Sequence, residues 1–371
     1  MARVLELEAI AEKVEAGRRL TEAEGERLFD RDVDLHAVGR LAQAVRRRRH
    51  GDVAYYNINA HLNPTNVCVY RCPLCAYSCD PGDARAYVMA LDAILACADE
   101  AASSGCTELH IVGGVHPEQP YEWYVEMIRS IHQAYPRLHL KAWTAVEIAW
   151  FARLAERTVE GVLGEMIEAG LGSLPGGGAE IFDAAVRRQI APRKPDAETW
   201  LDVHRTAHRL GLRSNATMLY GHVERPRHRI DHLVRLRRLQ DETGGFQAFV
   251  PLSFHPHGTG LSHLRPASGL DDLRVVAISR LMLDNFDHIK AYWVSLGVGT
   301  AQIAVAYGAD DLDGTVRQER IHHDAGSSAP DMLTVDQLER LIREAGCRPV
   351  ERDTLYRPVR RQGAEWEVAG S

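Results

Sequence analysis

The chain has 371 residues, of which 45% are hydrophobic and 26% are charged, a composition typical of a globular protein. Its formal net charge of −7 provides no overall positive field, so we expect neither nucleic acid nor anionic lipid as a partner. No apolar stretch approaches the roughly 18 residues of a membrane span, and the N-terminus lacks the apolar core of a secretory signal. We therefore expect a cytoplasmic location.

The first fifty residues have helical patterns. The segment LELEAIAEKVEAG is followed by a Thr21-x-x-Glu24 capping box and then by VDLHAVGRLAQAVRRRR. The basic run over 46–50 is interpreted as a solvated helix end. Residues 1–50 are predicted to form an N-terminal helical extension.

After Gly51, short apolar runs alternate with amphipathic segments, which is typical of β/α units around a parallel sheet. The predicted strands are 53–60, 107–112, 138–144, 171–174, 213–220, 246–254 and 289–296, with a weak strand near 312–317. The predicted helices include 121–134, 179–189, 198–210, 228–242, 270–285 and 335–346. Residues 51–371 are thus predicted to form an α/β fold, a TIM-like barrel of six to eight parallel strands with C-terminal β/α elements. Active-site groups of such barrels follow the carboxyl ends of the strands.

Three cysteines, Cys68, Cys72 and Cys75, follow the first predicted strand within one short loop. Three thiolates can hold three irons of a 4Fe–4S cluster and leave the fourth iron open to another ligand. The alternative is a structural zinc site with Cys79 as the fourth ligand, but the second CxxC-like hook of such sites is missing. We predict an open cluster, with Cys79 as a non-ligand thiol.

The C-x3-C-x2-C loop, with Leu74 before its last cysteine, resembles the signature of the radical S-adenosylmethionine (SAM) superfamily. The resemblance implies that the open iron chelates the amino and carboxylate groups of SAM. It also implies a one-electron donor, such as flavodoxin or ferredoxin. Reductive cleavage of SAM then gives methionine and a 5′-deoxyadenosyl radical.

Two further elements resemble SAM-binding segments of this superfamily. Gly113 and Gly114 follow a predicted strand, although Val115 stands where an acidic residue often follows the glycines. Gly221 and Glu224 match the end of a G-x-I-x-G-x-x-E element after another predicted strand. The resemblance implies that Gly113, Gly114 and Glu224 bind SAM.

Longer stretches resemble the radical enzymes of the futalosine route to menaquinone. They include HLNPTNVCVYRCPLC, ELHIVGGVHPEQPYEWYV, HLKAWTAVEI, SLPGGGAEIF and QDETGGFQAFVPLSFHP. HLNPTNVCVYRC and LHLKAWTAVEI favour the aminofutalosine synthase family, whereas its sister family, the dehypoxanthine futalosine cyclases, shares SLPGGGAE and QDETGGF. The cyclase, or another radical ring-forming enzyme, stays open as an alternative. A non-catalytic metal-binding protein is a third class.

The resemblance to the synthases implies a reaction. The 5′-deoxyadenosyl radical adds to the enolpyruvyl double bond of 3-[(1-carboxyvinyl)oxy]benzoate, and aryl migration with decarboxylation gives 6-amino-6-deoxyfutalosine. This small-molecule substrate has two carboxylates on an aromatic body, so its pocket needs cationic or hydrogen-bonding groups among apolar walls. Asn215 and His255, which lie near strand ends, are the preferred catalytic-site candidates. The other strand-associated candidates are Lys141, Arg213, Ser253 and Lys290.

Overall fold

The computed structural model describes residues 2–370 of the chain. Its α-helices are Ala2–Glu15 (α1), Glu22–Leu28 (α2), Leu35–His50 (α3), Leu91–Ser103 (α4), Tyr121–Ala134 (α5), Ala145–Leu154 (α6), Val159–Ala169 (α7), Ala184–Ile190 (α8), Ala197–Arg209 (α9), Pro226–Thr243 (α10), Gly269–Met282 (α11), Trp293–Leu296 (α12), Val298–Ala304 (α13), Ile321–Asp324 (α14) and Val335–Glu344 (α15). Its strands are Val53–Asn57 (β1), Asn59–Leu62 (β2), Glu108–Ile111 (β3), His139–Ala142 (β4), Ser173–Leu174 (β5), Arg213–Tyr220 (β6), Phe246–Ser253 (β7), His288–Ile289 (β8), Asp311–Gly314 (β9), Arg348–Glu351 (β10), Val359–Gln362 (β11) and Glu365–Val368 (β12). Within the described range, no helix combines the length and the apolar character that crossing a membrane requires.

The main sheet has seven parallel strands in the order β2-β3-β4-β5-β6-β7-β8. Neighbouring strands are consecutive in the chain, and α-helices occupy the connections between them. Parallel strands need such crossovers, and helices on the outer face bury the strands on both sides. Accordingly, every residue of β6 after Arg213 is buried. The predicted TIM-like α/β barrel of six to eight parallel strands is confirmed.

The two ends of this sheet are connected through β9. β9 pairs in parallel with β1, and β10 pairs with the other side of β1. Asp311 forms a bridge with Lys290 just after β8, and Arg317 forms one with Ala60 of β2. The strands therefore enclose one interior space. Strands β11 and β12 form a separate antiparallel hairpin.

Side-chain caps set the starts of several helices. Thr21 and Glu24 form the predicted capping box at α2, in which each side chain accepts the other residue's backbone N–H. Thr144 and Glu147 form the same box at α6, directly after β4. The second box places a carboxylate at the carboxyl end of the sheet.

The basic run at the end of α3 is a solvated helix end only in part, because Arg47, Arg48 and Arg49 are exposed whereas Arg46 is buried. Arg46 is 1% exposed and donates to the carbonyl groups of Gly51 and Val53. His50 contacts the carbonyl oxygen of Asp287, which precedes β8. These groups supply partners for carbonyls that a helix end and the strand starts leave free. The run fastens α3 to the amino-terminal end of the barrel.

Two strand predictions differ from the structure. The run 289–296 is a strand only at its start, because its second half forms helix α12. The Ser295 hydroxyl ties this helix to β7 by accepting the N–H of Ser253 at 2.7 Å. The run 53–60 is split between β1 and β2, which belong to different sheets. Short apolar runs do not distinguish a strand from a buried helix, or one strand from two, by pattern alone.

Candidate functional site

The barrel encloses a cavity of about 290 Å³. Its wall is formed by the loops after β2, β3, β4 and β5, by the ends of β6 and β7, and by the segments around β8 and β9. These segments lie at the carboxyl ends of the strands, which is where the active-site groups of β/α barrels are found. The predicted site residues on the wall are Cys68, Cys72, Cys75, Gly113, Gly114, Asn215 and His255.

The cysteine loop after β2 is held by backbone hydrogen bonds. The N–H of Cys68 donates to the carbonyl of Cys79 at 3.1 Å, and the N–H of Cys79 donates to the carbonyl of Asn66 at 3.0 Å. The Cys79 side chain is fully buried and does not line the cavity. Cys79 thus supports the loop through its backbone, while the thiols of Cys68, Cys72 and Cys75 line the cavity.

The spread of these three thiols fits an iron–sulfur cluster better than a single ion. A tetrahedral Zn²⁺ with Zn–S bonds of about 2.3 Å holds its sulfurs about 3.8 Å apart. Among residues 2–370, the cysteines do not form a group whose ligand atoms all lie within 4.8 Å of one another. A four-iron cluster is larger than one ion and is usually held by Cys thiolates. Three thiols on one cavity wall suit a cluster whose fourth iron has no protein ligand.

The Gly113–Gly114 turn after β3 is pressed against the cysteine loop. The N–H of Gly114 donates to the carbonyl of Thr65 at 2.7 Å. A Cβ atom on Gly114 would lie 2.2 Å from the carbonyl oxygen of Val67, far inside van der Waals contact. Glycine is therefore required here for the approach of two protein loops, because it alone has no Cβ.

Glu147 holds this turn from the other side and was not singled out in the sequence. Its Oε1 accepts the N–H of Gly113 at 3.1 Å, and its Oε2 accepts the N–H and the hydroxyl of Thr144 at 2.7 and 2.8 Å. Burial raises the pKa of Glu147 to about 7, although these hydrogen bonds lower it. The available signal was the Thr-x-x-Glu capping box directly after a predicted strand.

Glu224 lies outside the lining of the cavity. Its Oε1 accepts the N–H of Gly221 at 2.7 Å and its Oε2 accepts the N–H of His222 at 2.8 Å. Arg229 donates to the same carboxylate at 2.9 Å. Burial raises the pKa of Glu224, but the contacts with His222 and Arg229 outweigh burial and hold it well below the ordinary value. The structure thus places Glu224 as a brace of its own turn rather than on the wall.

Asn215 and His255 both line the cavity, but their hydrogen bonding differs. The Asn215 side chain has no hydrogen-bond partner among the described residues. His255 Nε2 lies 2.8 Å from the carbonyl oxygen of Ser295, so Nε2 carries the proton of a neutral ring. Nδ1 is then an acceptor and becomes a donor only when the ring is protonated.

An ion pair lies close to the cysteines. Lys194 Nζ donates to Glu180 Oε1 at 2.5 Å, and both residues line the cavity. Burial lowers the pKa of Lys194, but Glu180 and the thiol of Cys72 outweigh it and hold the pKa above the ordinary value. The sequence did not indicate this pair: Glu180 ends the SLPGGGAE stretch, but Lys194 stands in no such stretch.

The remaining strand-associated candidates separate into two groups. Lys141, Ser253 and Lys290 line the cavity. Arg213 does not: it is exposed and donates to the carbonyl of Gly244 at the other end of β6. Its prediction as a pocket residue was wrong, because Arg213 begins the eight-residue strand β6 and so lies at the end of this strand away from the cavity.

Comparison with known proteins identifies the family of the chain. The model of the radical SAM superfamily matches residues 62–236, and that of the CofH/MqnC C-terminal region matches residues 243–364. The fold is similar to that of methylornithine synthase (PylB), with a TM-score of 0.73 and 18% identity over 92% of this chain and 97% of that chain.

Relatives with higher identity cover almost the full length. The chain is 46% identical to the aminodeoxyfutalosine synthase of Thermus thermophilus, covering 95% of each chain. It is 44% identical to the aminodeoxyfutalosine synthase of Streptomyces coelicolor, covering 95% of this chain and 93% of the relative. It is also 39% identical to the 5-amino-6-(D-ribitylamino)uracil–L-tyrosine 4-hydroxyphenyl transferase of Methanopyrus kandleri, covering 95% of each. The chain therefore belongs to the radical SAM superfamily, whose members use a 4Fe–4S cluster and SAM, and within it to the family of the aminodeoxyfutalosine synthases.

Proposed function

We propose that the chain catalyses the aminodeoxyfutalosine synthase reaction of menaquinone biosynthesis. The 5′-deoxyadenosyl group of SAM is added to the enolpyruvyl double bond of 3-[(1-carboxyvinyl)oxy]benzoate. Aryl migration and loss of the enolpyruvyl carboxylate give 6-amino-6-deoxyfutalosine, so SAM is a co-substrate. The observation that carries the proposal is 46% identity to such a synthase over 95% of each chain.

Cys68, Cys72 and Cys75 are the residues that would hold the cluster, since all three line one cavity. When bound, the cluster supplies the electron that cleaves SAM to methionine and the 5′-deoxyadenosyl radical. We assign the Lys194–Glu180 pair to the methionine end of SAM. Its ammonium and carboxylate complement the carboxylate and ammonium of an α-amino acid.

The wall of the cavity also protects a reactive radical from water. Apolar side chains supply much of this part of the wall, namely those of Val112, Val146, Leu219, Val250, Leu252 and Phe254. Excluding water prevents side reactions of a reactive intermediate. The protein contribution at this stage is therefore enclosure and orientation rather than proton transfer.

For the enolpyruvyl carboxylate, Asn215 and His255 remain our candidates. The free amide of Asn215 can donate to a carboxylate at any physiological pH. Burial lowers the pKa of His255, with His322 acting in the same direction, so its ring becomes a charged donor only at acidic pH. We expect Asn215 to carry most of this interaction at neutral pH.

The decisive experiment identifies the product. Anaerobically reconstituted protein is incubated with SAM labelled in the adenosyl group, 3-[(1-carboxyvinyl)oxy]benzoate and a chemical reductant. We expect the label in 6-amino-6-deoxyfutalosine, together with methionine and carbon dioxide, and Cys72→Ala as the inactive control. Label found only in free 5′-deoxyadenosine would contradict the proposal.

Two alternative activities are tested in the same assay. The sister cyclase would convert dehypoxanthine futalosine and release free 5′-deoxyadenosine. The relative from Methanopyrus kandleri, 39% identical, is a 4-hydroxyphenyl transferase acting with L-tyrosine and 5-amino-6-(D-ribitylamino)uracil. Turnover of either substrate set, without incorporation of the adenosyl group, would replace the proposed function.

The partners that we propose are a one-electron donor of the flavodoxin or ferredoxin type and the small substrate itself. Radical SAM enzymes need an electron donor and a small-molecule substrate. The type of donor is our proposal. We also propose a cytoplasmic location, supported by seven cysteines of which none forms a disulfide. Reducing compartments keep thiols in this state.

A further inference from the structure

The inner end of the cavity holds ionisable side chains to which the proposed reaction assigns no role. We call them the floor cluster: His61, Glu108, His110, Lys141, Lys290 and Asp313. Most of them belong to the strands themselves rather than to the loops that follow, so they lie deeper in the barrel than the cysteines.

The register of the sheet places three members of the floor cluster side by side. His61 pairs with His110 across β2 and β3, and His110 pairs with Lys141 across β3 and β4. The two imidazole rings stack with their centroids 4.6 Å apart. Paired residues on neighbouring strands project from the same face of a sheet, which here is the inner face.

The charges of the floor cluster are balanced within it. Lys141 Nζ donates to Glu108 Oε2 at 2.6 Å, and Lys290 Nζ donates to Asp313 Oδ1 at 3.1 Å. Lys141 and Lys290 are only 3% and 2% exposed. Each ammonium has three N–H donors, and in the described part of the chain only one of them is used. Buried donors without partners are costly, so these are available to a ligand that accepts hydrogen bonds.

The two histidines add further donors. Burial lowers the pKa of His61 and His110, so that both rings are neutral and carry one N–H each. Neither ring has a hydrogen-bond partner among residues 2–370. The ion pairs balance the charges of the two lysines, and the remaining donors of these lysines can receive an anion.

The substrate of the proposed function has a group that fits this floor. One of its carboxylates belongs to the enolpyruvyl group, which must lie beside SAM near the cysteines. The other is attached to the benzene ring, on the side away from the reacting double bond. We propose that the floor cluster binds this ring carboxylate, with Lys141 and Lys290 as its main donors. The identity of the ligand rests on the proposed function.

The test combines a change in the protein with a change in the substrate. Lys141→Met is made together with Glu108→Gln, so that no unpaired buried charge remains. A hydrogen bond to a charged group corresponds to about a ten- to hundredfold effect on binding. We expect the double variant to raise the KM for the full substrate by about this factor, with cluster content and SAM affinity retained.

The second arm uses 2-phenoxyacrylate, which lacks only the ring carboxylate. Wild-type protein should bind 2-phenoxyacrylate more weakly than the full substrate by a similar factor. The double variant should bind the two compounds with nearly the same affinity. The inference would be overturned if the double substitution and the loss of the ring carboxylate each lowered the affinity independently of the other. A second control compound is 3-(vinyloxy)benzoate, which lacks the enolpyruvyl carboxylate. The inference would also be overturned if the effect of the double substitution disappeared with this compound instead of with 2-phenoxyacrylate. Arg361→Met is the matched control, because it breaks an ion pair with Glu351 outside the cavity.

A binding measurement without turnover separates this inference from the proposed function. Calorimetry compares 3-hydroxybenzoate with phenol on the folded wild-type protein and on the double variant. If the variant alone fails to distinguish them, the floor is a carboxylate site even if the wild-type protein forms no adenosylated product. If the product forms but both proteins bind 3-hydroxybenzoate equally, the floor inference fails and the proposed function stands.

Discussion

Two cysteines of one loop have opposite surroundings. Cys72 lies on the cavity wall, whereas Cys79 is fully buried behind it. We expect Cys72→Ala to lose the cluster and SAM cleavage, because an incomplete set of thiolates does not hold it. Cys79→Ala should keep both and lose about 1 kcal/mol of stability through a small void. Iron and sulfide analysis under anaerobic conditions checks this, and equal loss of iron in both variants would contradict the three-thiol assignment.

Gly114 is limited by the protein itself. A Cβ there meets the Val67 carbonyl oxygen at 2.2 Å, so Gly114→Ala must displace the cysteine loop. We expect a lower iron content after reconstitution and a lower melting temperature. Gly164 in α7 is the matched control, because its Cβ would meet nothing within 4 Å. Gly164→Ala should be neutral or stabilise by up to about 1 kcal/mol. An intact cluster in Gly114→Ala would show that the loops can separate without cost.

Glu147 gives the free energy of unfolding a defined pH dependence. Its pKa rises from the ordinary 4.5 to about 7 on folding, chiefly through burial. Between these values the folded chain holds more protons than the unfolded chain, so stability falls as pH rises through this window. Glu147→Gln should flatten the dependence of the free energy of unfolding on pH in this window. The change that Glu147 contributes across the window is at most ~3 kcal/mol. Denaturant unfolding of the cluster-free protein across the window checks this, with exposed Glu160→Gln as the control. An unchanged slope in Glu147→Gln would contradict the raised pKa.

At the scale of elements, the connection between β6 and α10 depends on a buried carboxylate. Glu224 joins the turn at Gly221 to Arg229 of α10, and Arg229 also pairs with Asp271 of α11. We expect Glu224→Ala to destabilise the fold by about 3 kcal/mol, since it removes one partner of a buried ion pair. SAM affinity of the protein that remains folded should not change. Denaturant unfolding and equilibrium dialysis measure the two effects. Weaker SAM binding at full stability would instead place Glu224 in contact with the cofactor.

At the scale of the whole molecule, Asp310 connects helix α3 near the N-terminus with helix α11 and strand β8 of the barrel. It pairs with the fully buried Arg280 of α11, accepts the N–H of Ile289 in β8 at 2.8 Å and contacts His50 of α3. Arg280→Met leaves this buried carboxylate with His288 but without its guanidinium partner, and we expect a loss of about 3–5 kcal/mol. Adding Asp310→Asn should recover part of it. Urea unfolding followed by circular dichroism checks both variants. If the effects of the two substitutions on the free energy of unfolding simply added, Arg280 and Asp310 would not act as a specific pair.

The sequence by itself determined the features that depend on neighbours in the chain. The C-x3-C-x2-C spacing places three thiols on one loop, and the alternation of apolar runs with amphipathic segments determines a β/α barrel. The capping boxes at Thr21 and Thr144 are equally local, since their partners stand three residues away. The family resemblance rests on such local stretches as well.

Only the tertiary structure decided which side chains share the cavity. His61 and Lys290 stand 229 positions apart by their numbers, and barrel closure brings both to the floor. A local match also leaves the direction of a side chain open: Glu224 fits the G-x-x-E pattern, yet its carboxylate is used within its own turn. The physical reason is that spacing along the chain restricts backbone neighbours, whereas strand register and burial determine which long-range partners a polar group finds.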